Sequence, residues 1–209
     1  MIFAFMRRAV LVTGAVVALT GMARADDALF LPVADVFPIS GMGTVALGTV
    51  VRGEIHTGDA VEVVGGAGAP IKATVLQLQI HAANVDSAKA GDDVGVLLRG
   101  VDQDTIERGR VIAAPGSVTA HTHVTAEITL AAEGGRSTPV ADGYRPLLAI
   151  FTASVSATLK LGDATLAPGG KATVPVELED PVALLVGDTF DVTEGGRSVG
   201  SGTVVSIED

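Results

Sequence analysis

DVGVLLRGVDQDTIERGRVIAAPG, residues 93–116, holds two apolar runs separated by turn chemistry. Val94–Arg99 carries Val and Leu at successive positions, so both faces are apolar and the run reads as a buried strand. Gly100 breaks it. Asp102 can cap one helical turn that runs to Glu107, and Gly109 stands where such a turn stops. A second apolar run, Val111–Ala114, follows and ends at the turn pair Pro115-Gly116. The pattern is strand, capped turn, strand, boundary, and no residue in it is a catalytic group.

The same alternation extends in both directions. Upstream, residues 29–37, 43–52, 60–64 and 71–80 are strand candidates, separated by Ser40-Gly41, Thr57–Asp59, the cluster at 65–70 and Lys89–Asp92. Downstream, residues 124–130, 147–161, 172–178, 189–192 and 202–207 read the same way. No window keeps a helical period for three turns. With 26 glycines among 209 residues, the spacing predicts an antiparallel barrel or sandwich. Two β domains of about 90 residues each follow, joined near 117–120. The glycine-rich 65–70 segment has no following Lys-Ser/Thr and opens no helix, so it reads as a hairpin tip rather than a phosphate loop. EGGRS occurs at 133–137 and again at 194–198, a coincidence of turn chemistry within no longer repeat.

The N-terminus carries a different signal. Arg7-Arg8 precede an apolar run, Ala9–Met22, and Ala23-Arg24-Ala25 supplies an A-x-A exit. The run of 14 residues is short against the ~20 of a membrane span. An export signal at 1–25, cleaved after Ala25, is expected, by the general or the twin-arginine route, with a periplasmic or secreted product and no span in the mature form. Removing it takes away three of the 14 basic residues and no acidic ones, leaving 11 against 24, a formal charge of −13. That acidity is dispersed and speaks against a phosphate backbone as partner, since such binding rests on Lys and Arg. Aromatic residues make up only 3%, with no Trp, so base stacking has little material. The absence of Cys excludes disulfides, thiolate metal sites and a cysteine nucleophile.

LPVADVFPISGMGTVALGTVVRGEIHTGD at 31–59, GVLLRG with its IERG turn, AHTHVTAEI at 120–128, EGGRSTPVADGYRP at 133–146 and FDVTEGGRSVGSGTVVSI at 190–207 occur in one order. Together these segments resemble the second and third domains of elongation factor Tu. The resemblance implies an all-β chain of two consecutive antiparallel β-barrels, at 26–116 and 117–209. The family's first domain is a GTPase, whereas this sequence contains no GxxxxGK[ST], so no GTP hydrolysis is expected of this chain alone and no cofactor is implied.

In the family the first barrel holds the aminoacyl end of a tRNA with an acidic pair and a Phe. The resemblance places Asp35 and Phe37 at two of these positions. Ala34 stands where the family has Glu, Leu47 where it has Thr, Asp93 where it has Asn and Met42 where it has Arg. In the second barrel Phe151 and Thr193 each stand where the family has Arg. Each change removes a hydrogen-bonding partner or a positive charge. Against these readings, Phe37 can be a packing residue, Asp35 can cap a turn, and Arg99, Arg145 and Arg197 can brace loops or acidic neighbours.

His121 and His123, at i and i+2, would share a strand face and could share a metal, with Glu127 further along as a third ligand. These are weak candidates. No GxSxG elbow selects a catalytic serine. The expectation is an exported, non-catalytic module that binds a protein or peptide rather than nucleic acid. The alternative is an elongation-type factor that binds aminoacyl-tRNA with a separate GTPase partner, and a metal-dependent enzyme built on the two histidines is a third reading.

Overall fold

The computed structural model describes residues 28–39, 41–101 and 105–208. The expected export segment and Asp102, the expected cap, lie outside these residues. Among the described residues no helix is long and apolar enough to cross a membrane, which says nothing about spanning strands.

The first half contributes β1 (Phe30–Ile39), β2 (Gly43–Thr49), β3 (Glu54–His56), β4 (Ala60–Val64), β5 (Ile71–Ile80), β6 (Ala83–Val85), β7 (Ser87–Lys89), β8 (Asp93–Arg99) and β9 (Val111–Ala113). Six of them close a ring in the order β4-β9-β1-β2-β8-β5, completed by pairing of β5 with β4. β6 lengthens the sheet beyond β5, and β3 with β7 forms a separate ribbon. The second half gives β10 (Ala120–Leu130), β11 (Leu147–Ile150), β12 (Ala153–Leu159), β13 (Lys171–Ala183), β14 (Thr189–Glu194) and β15 (Arg197–Ile207), closed as β10-β13-β12-β11-β14-β15. The protein is all-β, with two closed six-stranded antiparallel barrels. Each barrel encloses its own aliphatic core, around Leu31, Leu78 and Leu98 in the first and Ile128, Leu159 and Phe190 in the second.

The expected strand over 147–161 is two strands. Phe151 and Thr152 form the two-residue loop between the pair Ile150 and Ala153, and Phe151 has φ 52°. No Gly, Asn or Pro announces this turn, so an unbroken apolar run concealed it. The short strands β3, β6 and β7, of three residues each, were equally concealed.

The barrels meet over a packed seam. Phe30, Val64, Val111, Ala113, Val118 and Ala183 form one buried cluster drawn from both. The Arg52 guanidinium lies 4.5 Å from the Phe30 ring centre and 3.0 Å from Asp188 of the second barrel. Asp188, only 8% exposed, also accepts from the Leu185 amide. The Phe151 ring tilts against Phe30 at 5.1 Å, and the Gly66 amide donates to Pro181 O. The join at 117–120 is therefore part of this seam, with Val118 buried, rather than a loose tether.

Candidate functional site

The outer face of the first barrel is built by strand register. Phe37 on β1 pairs with Val45 on β2, Val45 with Leu97 on β8, and Leu97 with Gln77 on β5. The next outward row is Asp35, Leu47, Gly95 and Gln79, and beyond it Thr49 pairs with Asp93. Alternation sends the odd-numbered residues of β2 outward and keeps Thr44, Ala46 and Gly48 inside. Phe37 is 47% exposed, Ile39 40%, Met42 55% and Leu47 37%, so four large apolar side chains share one side of the barrel. Phe37 is thus not a core residue.

Two adjoining depressions mark this face. One, of about 140 Å³, is lined by Ile39, Met42, Val45, Gln77, Gly95 and Leu97. The other, of about 460 Å³, reaches from Ala34 and Leu47 to Thr49, Asp93 and the turn at His81 and Ala82. That turn joins Ile80 to Ala83 with φ of 50° and 64° at its two central residues, the type I′ geometry that Asn and Gly ordinarily supply. Holding non-glycine residues there costs roughly 1–2 kcal/mol each.

The three expected pocket residues have different fates. Asp93 and Leu47 line the larger depression, and the Asp93 carboxylate accepts from the Thr49 hydroxyl. Asp35 projects from the neighbouring position on β1, where its Oδ1 accepts the Val36 amide at 2.8 Å. Phe37 lies one row away toward the β1–β2 tip. Asp35 and Asp93 form no ion pair among the described residues. The tip itself includes Ser40, which lies outside them.

In the second barrel Phe151 faces the seam and Thr193 donates its hydroxyl to Leu147 O at 2.9 Å. Arg108 donates to Thr152 O and to Ala34 O, bridging the barrels below Asp35. Arg99, Arg145 and Arg197 make no ion pair among the described residues, so they brace no acidic neighbour there.

His121 and His123 keep the i, i+2 spacing on β10, and where the register with β13 jumps from His121↔Val182 to His123↔Glu177 the extra residues lie on β13. The His121 ring meets the Thr119 hydroxyl and the His123 ring meets Thr122. Glu127 is paired with Lys171 at 2.7 Å. Among the described residues no group of three or more His, Cys, Asp or Glu is placed to hold a metal ion.

The two EGGRS copies are not independent turns. Both line one hollow of about 590 Å³. Arg136 of the first copy pairs with Glu194 of the second, and Tyr144 donates to the same carboxylate. The Arg136 guanidinium, 5.1 Å from the Tyr144 ring centre, holds Glu194 below its ordinary pKa, while burial and Glu194 raise that of Tyr144. A repeat with a spacing of 61 residues was visible in the sequence, but nothing in it announced that the copies meet.

Two six-stranded antiparallel barrels in series, the first with an open apolar face, define the class of translation-factor barrel modules. Residues 43–113 match Elongation factor Tu domain 2, and residues 117–208 match the Elongation factor Tu C-terminal domain. Together the matches span most of the chain, one to each barrel.

Proposed function

We propose that this protein is an exported, non-catalytic binding module that holds a protein or peptide on the outer face of its first barrel, in the periplasm or outside the cell. The observation that carries the reading is the contiguous exposure of Phe37, Ile39, Met42 and Leu47 on one barrel face. Apolar patches of this kind on otherwise soluble surfaces mark contact with another macromolecule. Export is supported by the arginine pair, apolar run and A-x-A exit at 7–25. Nucleic acid is disfavoured by what stands at the family's tRNA-contacting positions: Met42, Phe151 and Thr193 carry no positive charge, and Asp93 adds a negative one.

Fractionation with N-terminal sequencing of the recovered protein, and titration of that protein with aminoacyl-tRNA at physiological salt, test the two halves of the reading. A chain beginning at Asp26 outside the cytoplasm with no tRNA binding is the expected result. Micromolar or tighter tRNA affinity would overturn the choice of ligand. A second reading, an elongation-type factor served by a GTPase on another chain, is favoured by Asp35 and Phe37, which keep the family's residue types on the same face. It predicts an intact N-terminus in the cytoplasm and co-purification with ribosomes or a GTPase.

A further inference from the structure

The open face has an electrostatic polarity and a spacing that narrow what it can hold. At one end lie Asp35 and Asp93, and at the other Arg99 closes the outward row beyond Leu97. Asp35 and Asp93 sit two strands apart and two residues out of register, roughly 12 Å, with Leu47 on the strand between them. Neither has a cationic partner among the described residues, and the two depressions beside them share Val45, Gly95 and Gln79 as a common wall. On β8 the smaller is lined by Gly95 and Leu97, and the larger by Asp93, Val94 and Gly95. The offset along β8 is thus about 7 Å, the rise of two residues in an extended chain.

The free edge of the same sheet is built against strand addition. β9 pairs with β1 from Phe30 to Pro32, and Val33 continues that side through Arg110 O and the Gly109 amide, so among the described residues β1 has no backbone partner there beyond Ala34. There the Val36 amide is already taken by Asp35 and Pro38 has no amide hydrogen. A peptide that docked by backbone pairing would find acceptors but few donors. Side chains entering the face, not main-chain pairing, must provide recognition, so the open edge is not the docking site.

Resting on the binding reading above, we infer that this face takes an extended peptide segment bearing an apolar side chain and, two positions away, a Lys or Arg. The apolar side chain occupies the smaller hollow against Met42, Val45 and Leu97. The basic group lies in the larger one beside Asp93, with Asp35 on the flanking row, where Ala34 in place of the family's Glu leaves room. The remaining acidity of the chain draws the same partner toward the surface.

The test pans a displayed library of random dodecamers against the mature protein. It then compares the selected peptides on wild type, on Asp35→Asn/Asp93→Asn, on Leu47→Ser and on a distant control, Glu177→Gln/Glu179→Gln. Circular dichroism melts confirm that each variant is folded. Enrichment of apolar–x–basic peptides is expected, with at least tenfold weaker binding to the two face variants and unchanged binding to the control. Enriched peptides without a basic residue, or binding that falls equally on the control, would overturn this inference while leaving peptide binding intact. Failure to enrich any peptide would overturn it as well, and tRNA binding in the same preparation would then remove the broader reading too.

Discussion

The two barrels share an architecture and differ in how their outer side chains are engaged. On the second barrel, ion pairs join Arg136 to Glu194, Lys160 to Glu177 and Lys171 to Glu127, and Tyr144 adds a hydrogen bond to the first of them. On the open face of the first, Asp35 and Asp93 bond, among the described residues, to a neighbouring amide and hydroxyl, and four large apolar residues stand in solvent. Charges matched in this way present little to a partner. A surface that leaves them unmatched beside apolar side chains keeps its recognition chemistry available, which places the candidate site on the first barrel.

The comparison is sharpest at the seam, because both barrels depend on it. Asp188→Ala leaves Arg52 facing a buried vacancy and should destabilise the protein by about 3 kcal/mol in denaturant unfolding. It should also split one transition into two if the seam is what couples the barrels. Paired glycine substitutions ask whether the cores are equally intolerant. A Cβ on Gly48 would run into Pro32 O and Leu31, and one on Gly202 into the buried Phe190 ring. Gly48→Ala and Gly202→Ala should each cost about 1–3 kcal/mol by the same assay, each lowering the midpoint of its own barrel.

Smaller effects belong to the surfaces. Glu194 has its pKa lowered mainly by Arg136, so its contribution is present above its unfolded value of 4.5 and is lost as pH falls through the folded one. The protection factors of amides in residues 133–138 should therefore fall under acid, and Glu194→Gln should lower them at neutral pH. That exposed pair contributes no more than about 1 kcal/mol. Leu47→Ser should change stability by less than about 0.5 kcal/mol, since the side chain already meets water. If it proved strongly destabilising, the face would be structural and the contrast between the barrels would fail.

Much of the fold was legible because apolar alternation and glycine punctuation coincide in most of the chain. GVLLRG falls within one strand and its terminal glycine, and VIAAPG runs from β9 into the seam. What escaped had no local signal. Phe151 turns a chain whose neighbours are all strand formers, and His81 with Ala82 does the same in residues that rarely take positive φ. The candidate site was legible only in part. Asp35, Phe37 and Asp93 were identifiable through resemblance, but Ile39, Met42, Val45 and Leu97 became part of a site only when four strands set them side by side. The relation between the EGGRS copies was invisible for the same reason, since pairing across a barrel is a long-range property.

Phe30 also has a consequence in time. It pairs with Ala113 and stacks on Phe151, residues made 83 and 121 positions later. At a synthesis rate of about 5–20 residues per second, the first strand waits on the order of 4–17 s for its second neighbour in the ring and longer for its aromatic partner. Until then its Phe-Leu-Pro-Val start has no core to enter. The earliest strand of the molecule is thus among the last to be completed, and its protection during synthesis is a task for whatever accompanies the growing chain.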